Sequence, residues 1–356
     1  MRQLILVATF FLISILSSAQ AKNIDKFLSS FATDHKFSGT VLINSNGKLV
    51  YHNSFGFANR QFSVPNTNDT KYKIASVTKL FTSVLIMQLY EQGRIDLNAT
   101  VKTYLPDYSG NGAEKISIRN LLNHTSGLPY VGPKSKEEAL EKGMEEFQLP
   151  HSVDESINKY YSRDLVNEPW KVFSYNNGEY IILGRIIEKI YGKSFEEVLR
   201  QQILRPLEMN ASGLLFQYKI TDKLTDTYFT MNDTSGLVND LPVFIQNWYS
   251  AGAMYSTTSD LSKFSNALFS YKLVKKETLA LILQPGLEDY GFGLWIYDMK
   301  IMEKKLRVIK RPGDIMGAQA MFIYLPEIKL SLIILANTDS VKLDDMADEI
   351  IRQMGE

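Results

Sequence analysis

The sequence predicts a mixed α/β (α+β) protein in which an antiparallel sheet, drawn from both ends of the chain, is flanked by helices and interrupted by a mostly helical insertion. Three observations carry this expectation. Strand-like alternation is confined to about residues 36–70 and 290–338, the intervening region of about 74–285 reads mainly as helix, and no repeat, low-complexity tract or flexible linker divides the chain. Strands at both ends with helices between require a sheet whose members are distant in sequence. The 356 residues, 45% hydrophobic and 22% charged, suffice for a sizeable core, and one domain over residues 22–356 is expected.

Residues 1–21 stand apart. Arg2 supplies a positive start, Leu4 to Leu16 form an apolar run, and Ala19-Gln20-Ala21 offers a small-x-small cleavage site, the pattern of a secretory signal peptide. The thirteen residues of that run are short of the roughly 20 that cross a bilayer. No cysteine occurs, so there is no lipobox, and neither disulfides, thiol nucleophiles nor thiolate metal sites are available. A periplasmic or secreted protein without stable membrane insertion after cleavage is expected.

From residue 24 to His35 the spacing reads as a first helix. Residues 39–44, the Asn46-Gly47 dipeptide and residues 48–52 then read as a hairpin, because Asn-Gly favours the tight turn that matches strand twist. A long apolar helix follows from about Ser76 to Gln92 and stops at Gly93, a residue suited to the left-handed closing conformation. Residues 134–168 are charge-rich with helical spacing, and Glu179 to Tyr191 forms an amphipathic helix closed by Gly192. Beyond Tyr290, residues 290–297, 306–309, 318–324 and 330–336 are strand-like, and a helix from Val341 to Met354 closes the chain.

Net charge excludes one class of partner. The 39 basic and 39 acidic residues cancel, leaving no long-range positive field to gather nucleic acid. A small-molecule or peptide substrate is the remaining expectation.

The chemistry is carried by Ser-x-x-Lys, which occurs three times: Ser45 to Lys48, Ser76 to Lys79 and Ser156 to Lys159. Ser45 sits before the hairpin tip and Ser156 lies in the charged stretch, so both read as solvated. Ser76 instead opens the apolar helix, where a three-residue spacing puts Ser76 and Lys79 on one face. A helix N-terminus stabilises negative charge on the serine oxygen, and burial lowers a lysine pKa towards that of a base.

Residues 73–82 (KIASVTKLFT), 121–129 (LLNHTSGLP), 173–180 (FSYNNGEY) and 183–188 (LGRIIE) together resemble the β-lactamase-related serine hydrolase family, nearest its class C branch. Residues 202–209, 250–257 and 324–327 extend the resemblance, which runs from about residue 25 to 340. It implies a β-lactamase/transpeptidase-like fold and an exported hydrolase acting through an acyl-enzyme on amide or ester bonds. Cell-wall or D-amino-acid peptides, β-lactams and small esters are the implied substrates, with no metal or organic cofactor. It also implies that Ser76 is the nucleophile, that Lys79 and Tyr175 activate it, and that Asn177 hydrogen-bonds the lysine and a substrate amide. A second Tyr-x-Asn at Tyr51 to Asn53 lies in the hairpin, in the wrong order relative to Ser76.

The third family motif, Lys-Thr-Gly or His-x-Gly, is missing. Arg311-Pro312-Gly313-Asp314 stands in its place. Arg311 keeps the positive charge but cannot carry a proton. It is expected to bind substrate, reading a carboxylate near the scissile bond. The alternatives for Arg311 are pairing with Asp314 or holding Tyr175 as phenolate. Lys310 would project from the opposite strand face. The Asp314 amide would join that of Ser76 as an oxyanion hole beside Gly313. This departure also motivates an alternative function, a non-catalytic penicillin-binding-like or scaffold protein. Gly-x-Ser-x-Gly and His-Glu-x-x-His are absent, and His35, His52, His124 and His151 lack metal-ligand spacing. For His124 a structural hydrogen bond is expected.

Overall fold

The computed structural model describes residues 22–355 apart from 134, 232–235 and 302–303. The expected signal segment lies outside the described residues.

Six strands form the main sheet: β1 (Gly39–Ser45), β2 (Lys48–Phe55), β3 (Trp295–Ile301), β4 (Lys304–Ile315), β5 (Ala318–Leu325) and β6 (Leu330–Ala336). Their order is β3-β4-β5-β6-β1-β2, and every neighbouring pair is antiparallel. Asn46 and Gly47 turn β1 into β2 with φ of 51° and 75°, the pair of positive angles that a tight hairpin requires. The two ends of the chain meet where β1 lies against β6, from Gly39 opposite Ala336 to Ser45 opposite Leu330.

The sheet is narrower than its expected bounds. Residues 57–65 leave it to form a separate ribbon of Phe57–Asn59 and Val64–Pro65, and Tyr290 makes only an isolated bridge to Trp295. Strand β4 is longer than the expected 306–309, because it continues through Pro312. The register explains how: β3 pairing ends at Trp295 opposite Lys310, so beyond that point β4 is an edge on one side. A proline is tolerated at an edge, where no ladder donor is needed.

Both faces of the sheet are covered. Leu332, Ile334 and Ala336 pack with Ile24, Leu28, Met346 and Ile350. These come from helix α1 (residues 22–34) and the closing helix α5 (Leu343–Gly355). The alternate residues Ile333 and Leu335 join the larger core on the other side, as the two-residue period of a strand dictates. That core contains α2 (Thr78–Glu91), α3 (Asn177–Tyr191) and α4 (Thr258–Phe269). Gly93 and Gly192 close α2 and α3, each with φ of 67°.

The charge-rich stretch after residue 134 is broken rather than continuous. It forms Lys136–Lys142, Glu145–Gln148 and Val153–Ser156, the last running on through a wider turn to Tyr161. Gly143 (φ 75°) and Pro150 interrupt it. Among the described residues no helix is long and apolar enough to cross a membrane.

Candidate active site

The turn that carries Ser76 is built by a small second sheet. Tyr72–Lys73 pairs with Met254–Ser256, which also pairs with Gly213–Leu214, and the Ile74 amide continues the ladder to the Met254 carbonyl at 3.0 Å. The chain then turns sharply. Ala75 adopts φ 46°, a left-handed angle that a side chain resists, and Ala75–Val77 forms one tight helical turn ahead of α2. Thr78 Oγ1 ties the turn down by donating to the Ala75 carbonyl at 2.7 Å. Ser76 thus lies in the turn that feeds α2 rather than in the helix proper, with Lys79 one turn further on.

Lys79 is fully buried and its ammonium is saturated. It donates to Ser76 Oγ at 3.0 Å, Asn177 Oδ1 at 2.8 Å and the Ala251 carbonyl at 2.9 Å. Burial lowers its pKa to about 8; the neighbouring Tyr175 phenol opposes the shift and the Arg311 charge reinforces it. Tyr175 OH is 2.7 Å from the same Ser76 Oγ. Burial opposes ionisation of this phenol. The charges of Arg311 and Lys79, with the hydrogen bond to Ser76, outweigh burial and hold it below its usual value. The Ser76 hydroxyl therefore sits between two groups that exchange protons as one unit. Asn176 fixes the start of α3 by accepting from the Gly178 amide at 2.9 Å and donating to the Pro129 carbonyl at 2.8 Å. This places Tyr175 and Asn177 on either side of the lysine.

Strand β4 closes the site. A side chain on Gly313 would meet the Ile74 carbonyl at 2.5 Å and the Ser76 amide at 3.1 Å, so only glycine allows the strand to lie this close to the Ser76 turn. Arg311, one strand period away, is 1% exposed. Its Nε donates to the Ser76 carbonyl at 2.8 Å, one terminal nitrogen to Tyr290 OH at 2.8 Å and the other to Tyr175 OH at 2.6 Å. The guanidinium also lies 5.3 Å from the Tyr175 ring and 5.4 Å from that of Trp295. Each nitrogen of the fork thus bonds a protein group through three of its five N–H donors, where Arg311 was expected to read a substrate carboxylate. Of the two expected alternatives, contact with Tyr175 is realised and pairing with Asp314 is not.

Asp314 lies on the other face of the strand, exposed, and accepts from Gln319 Nε2 at 3.3 Å. Its carboxylate is thereby turned away from Ser76. Lys310 likewise leaves the site and pairs with Asp344 of α5, as the alternation of strand faces requires. Of the other two Ser-x-x-Lys pairs, Ser45 lies at the hairpin as expected. Ser156 is 4% exposed where a solvated residue was expected, and Lys159 turns outward to Glu145 at 2.5 Å.

Residues that sequence reasoning did not assign complete the arrangement. Burial keeps the Tyr290 phenol well above its ordinary pKa, against the Arg311 charge. Behind Tyr175 lies His124, which is fully buried. Its Nδ1 contacts Glu179 Oε2 and accepts from the Asn176 amide at 3.3 Å. Glu179 Oε1 accepts from the Ser126 amide at 3.3 Å. Burial pushes His124 well below the usual imidazole range, helped by the charges of Lys79 and Arg311, and pushes Glu179 well above the carboxylate range. His124 does make the structural hydrogen bond expected of it, but its partner, 55 positions away, carried no local signal. Among the described residues no cluster of ligating side chains could hold a metal ion.

The "Beta-lactamase" family model matches residues 24–355. Penicillin-binding protein 4* of Bacillus subtilis is 28% identical over 337 residues, 89% of this chain and 72% of that protein. Teichoic acid D-alanine hydrolase of Staphylococcus aureus is 28% identical over 270 residues, 76% of this chain and 62% of that protein. The chain thus spans less than two thirds of the second relative. A solved penicillin-binding protein from Bacillus halodurans superposes with a TM-score of 0.76 at 27% identity, covering 90% of this chain and 97% of that one.

Proposed function

The chain belongs to the beta-lactamase family and has the β-lactamase/transpeptidase-like fold, and from that premise we propose that it is an exported serine hydrolase working through an acyl-enzyme on Ser76. The observation that carries this is one oxygen with two partners: Ser76 Oγ lies 3.0 Å from Lys79 Nζ and 2.7 Å from Tyr175 OH.

In the first step Ser76 Oγ bonds to the substrate carbonyl carbon and its proton passes to the Tyr175–Lys79 pair. The reactive form of the pair has one proton fewer than the resting form, as neutral lysine with phenol or as ammonium with phenolate. The backbone amides of Ser76 and Asp314, on either side of the Gly313 approach, are the donors for the oxyanion. Collapse breaks the bond to the leaving group, which departs with the proton held by the pair. A water molecule then releases the acyl group by the same route, and the proton returns to Ser76. Asn177 holds the ammonium through its Oδ1 and presents its amide to the substrate. Arg311 supplies a charge that does not titrate, so Tyr175 remains polarised at every working pH.

The relatives lend support to one substrate class. One is a hydrolase of D-alanine on teichoic acid and another a penicillin-binding protein, which supports D-aminoacyl esters and amides as acyl donors for this chain. Export rests on residues 1–21 and predicts a mature N-terminus near Lys22 on protein recovered outside the cytoplasm, read by mass spectrometry; an intact Met1 on protein recovered from the soluble cytoplasm would defeat it. The test of the hydrolase reading is Ser76→Ala. It should lower kcat by on the order of 10⁴ to 10⁶ without unfolding the chain, and full turnover in that variant would overturn the reading.

A further inference from the structure

The His124–Glu179 pair lies one layer behind the reacting atoms and takes no part in the steps above. Its placement is nonetheless specific to Tyr175. The two residues that flank the tyrosine both bond to His124: the Ser174 amide donates to its carbonyl at 2.9 Å and the Asn176 amide to its Nδ1 at 3.3 Å. Between those two anchors the imidazole ring packs on the Tyr175 ring with centroids 4.5 Å apart. The position and tilt of the phenol are therefore set largely by one histidine. His124 itself takes φ 58°, a left-handed angle that a side chain seldom adopts without being held there.

Hydrogen-bond accounting locates the proton of the pair. A ring nitrogen that accepts an N–H cannot itself carry a hydrogen in that direction. Nδ1 has one lone pair, so the Asn176 amide and the Glu179 contact share it as a three-centre bond, which puts the proton between Nδ1 and Oε2 on the carboxyl group. The other oxygen, Oε1, accepts from the Ser126 amide, which leaves Oε2 as the oxygen that faces Nδ1. The imidazole then carries its hydrogen on Nε2, an atom that meets no acceptor among the described residues and is enclosed by the rings of Phe173, Tyr175, Tyr180 and Tyr290.

The charges facing the pair favour the same assignment. Lys79 from α2 and Arg311 from β4 both disfavour an imidazolium. The remaining titratable neighbours are the phenols of Tyr108, Tyr175, Tyr180 and Tyr290, of which Tyr108, Tyr180 and Tyr290 are held neutral by burial. An ionised Glu179 would act on the reaction itself, since its negative charge favours the protonated form of Lys79 and opposes a phenolate on Tyr175.

We propose that Glu179 is a protonated acid which, with His124, forms an uncharged positioning pair that clamps Tyr175 over Ser76 without offsetting the positive field of Lys79 and Arg311. The proposal rests on the role given above to Tyr175. Both residues act through the tyrosine, and neither touches Ser76.

Glu179→Gln tests it, because the amide supplies a neutral donor to Nδ1 and keeps an acceptor for Ser126. This variant should keep kcat within about 3-fold of the parent, with the pH dependence unmoved. Glu179→Ala, which removes the donor and leaves Nδ1 short of a partner, should lose about 10- to 100-fold in kcat at nearly constant KM. If Glu179→Gln falls as far as Glu179→Ala, or its activity limb moves to lower pH by about one unit as expected on removing an anion, the neutral-acid assignment is overturned. A second readout does not depend on turnover. In Ser76→Ala protein, ¹⁵N spectra of His124 should show an unprotonated Nδ1 and a protonated Nε2 from about pH 5.5 to about pH 9, and an imidazolium signature would refute the pair as described. Because that spectrum is recorded without catalysis, failure of the serine-hydrolase reading and failure of this proposal are separable.

Discussion

Replacing Arg311 by glutamine removes a fixed positive charge from the centre of the site and keeps a side chain of similar shape. The charge-assisted bond to Tyr175 OH is 2.6 Å long and part-buried, with Arg311 itself 1% exposed, and a hydrogen bond of that class contributes about 1.5–3 kcal/mol. Arg311 favours the deprotonated form of both Tyr175 and Lys79, so its loss raises both pKa values. At about 1.4 kcal/mol per pH unit, the limb on which activity rises should move up by roughly one to two units. The parent limb lies in the region of pH 8, where Lys79 titrates. At pH 7 the variant should therefore lose about 10- to 150-fold in kcat/KM, and should recover much of this as the pH approaches about 10. The assay is kcat/KM against pH for a D-aminoacyl ester, with parent, Arg311→Gln and Arg311→Lys compared. Donors bearing a free carboxylate and their methyl esters should suffer alike. A loss that is equal at every pH would refute the electrostatic role, and a loss confined to the free acids would assign Arg311 the carboxylate-reading role instead.

Two further predictions follow from packing. Gly313→Ala would push a methyl group to 2.5 Å from the Ile74 carbonyl. It should destabilise the fold by about 1–3 kcal/mol and displace the oxyanion donors; unchanged activity would show that β4 does not define the site. Phe264, fully buried and stacked on Phe81 of α2 at 4.0 Å, should cost about 3–5 kcal/mol when truncated to alanine, read by chemical denaturation. A loss under about 1 kcal/mol would mean that the core beneath the nucleophile helix collapses to fill the space.

Local signals in the sequence were enough for α2 and α3, where an apolar period ends at a glycine that closes the helix, and for the hairpin, where Asn46-Gly47 sets the turn. The grouping of Ser76, Lys79, Tyr175 and Asn177 was legible only through the resemblance of short phrases to a known family, since Ser76 and Tyr175 lie 99 positions apart. The far end of β4 was not, because Pro312 and Gly313 depress strand propensity and are tolerable only where the pairing with β3 has ended. The direction of Arg311 was equally hidden, since its partner Tyr175 lies 136 positions away and a strand residue's partner depends on which loop the fold brings beneath it. Helical spacing in residues 134–168 was real but overruled by Gly143 and Pro150. The His124–Glu179 pair joins two recognisable phrases, yet nothing within either one encodes that they meet.

The central claim is that Ser76 is a nucleophile activated by Lys79 and Tyr175. The most direct measurement is intact-mass analysis, followed by peptide mapping, of folded protein treated with an activated fluorophosphonate, alongside Ser76→Ala and Tyr175→Phe. The account predicts one stoichiometric adduct on Ser76, none on the alanine variant and slower labelling of the phenylalanine variant, with the parent rate rising through about pH 8. No adduct on the folded parent, or an adduct on another residue, would contradict it.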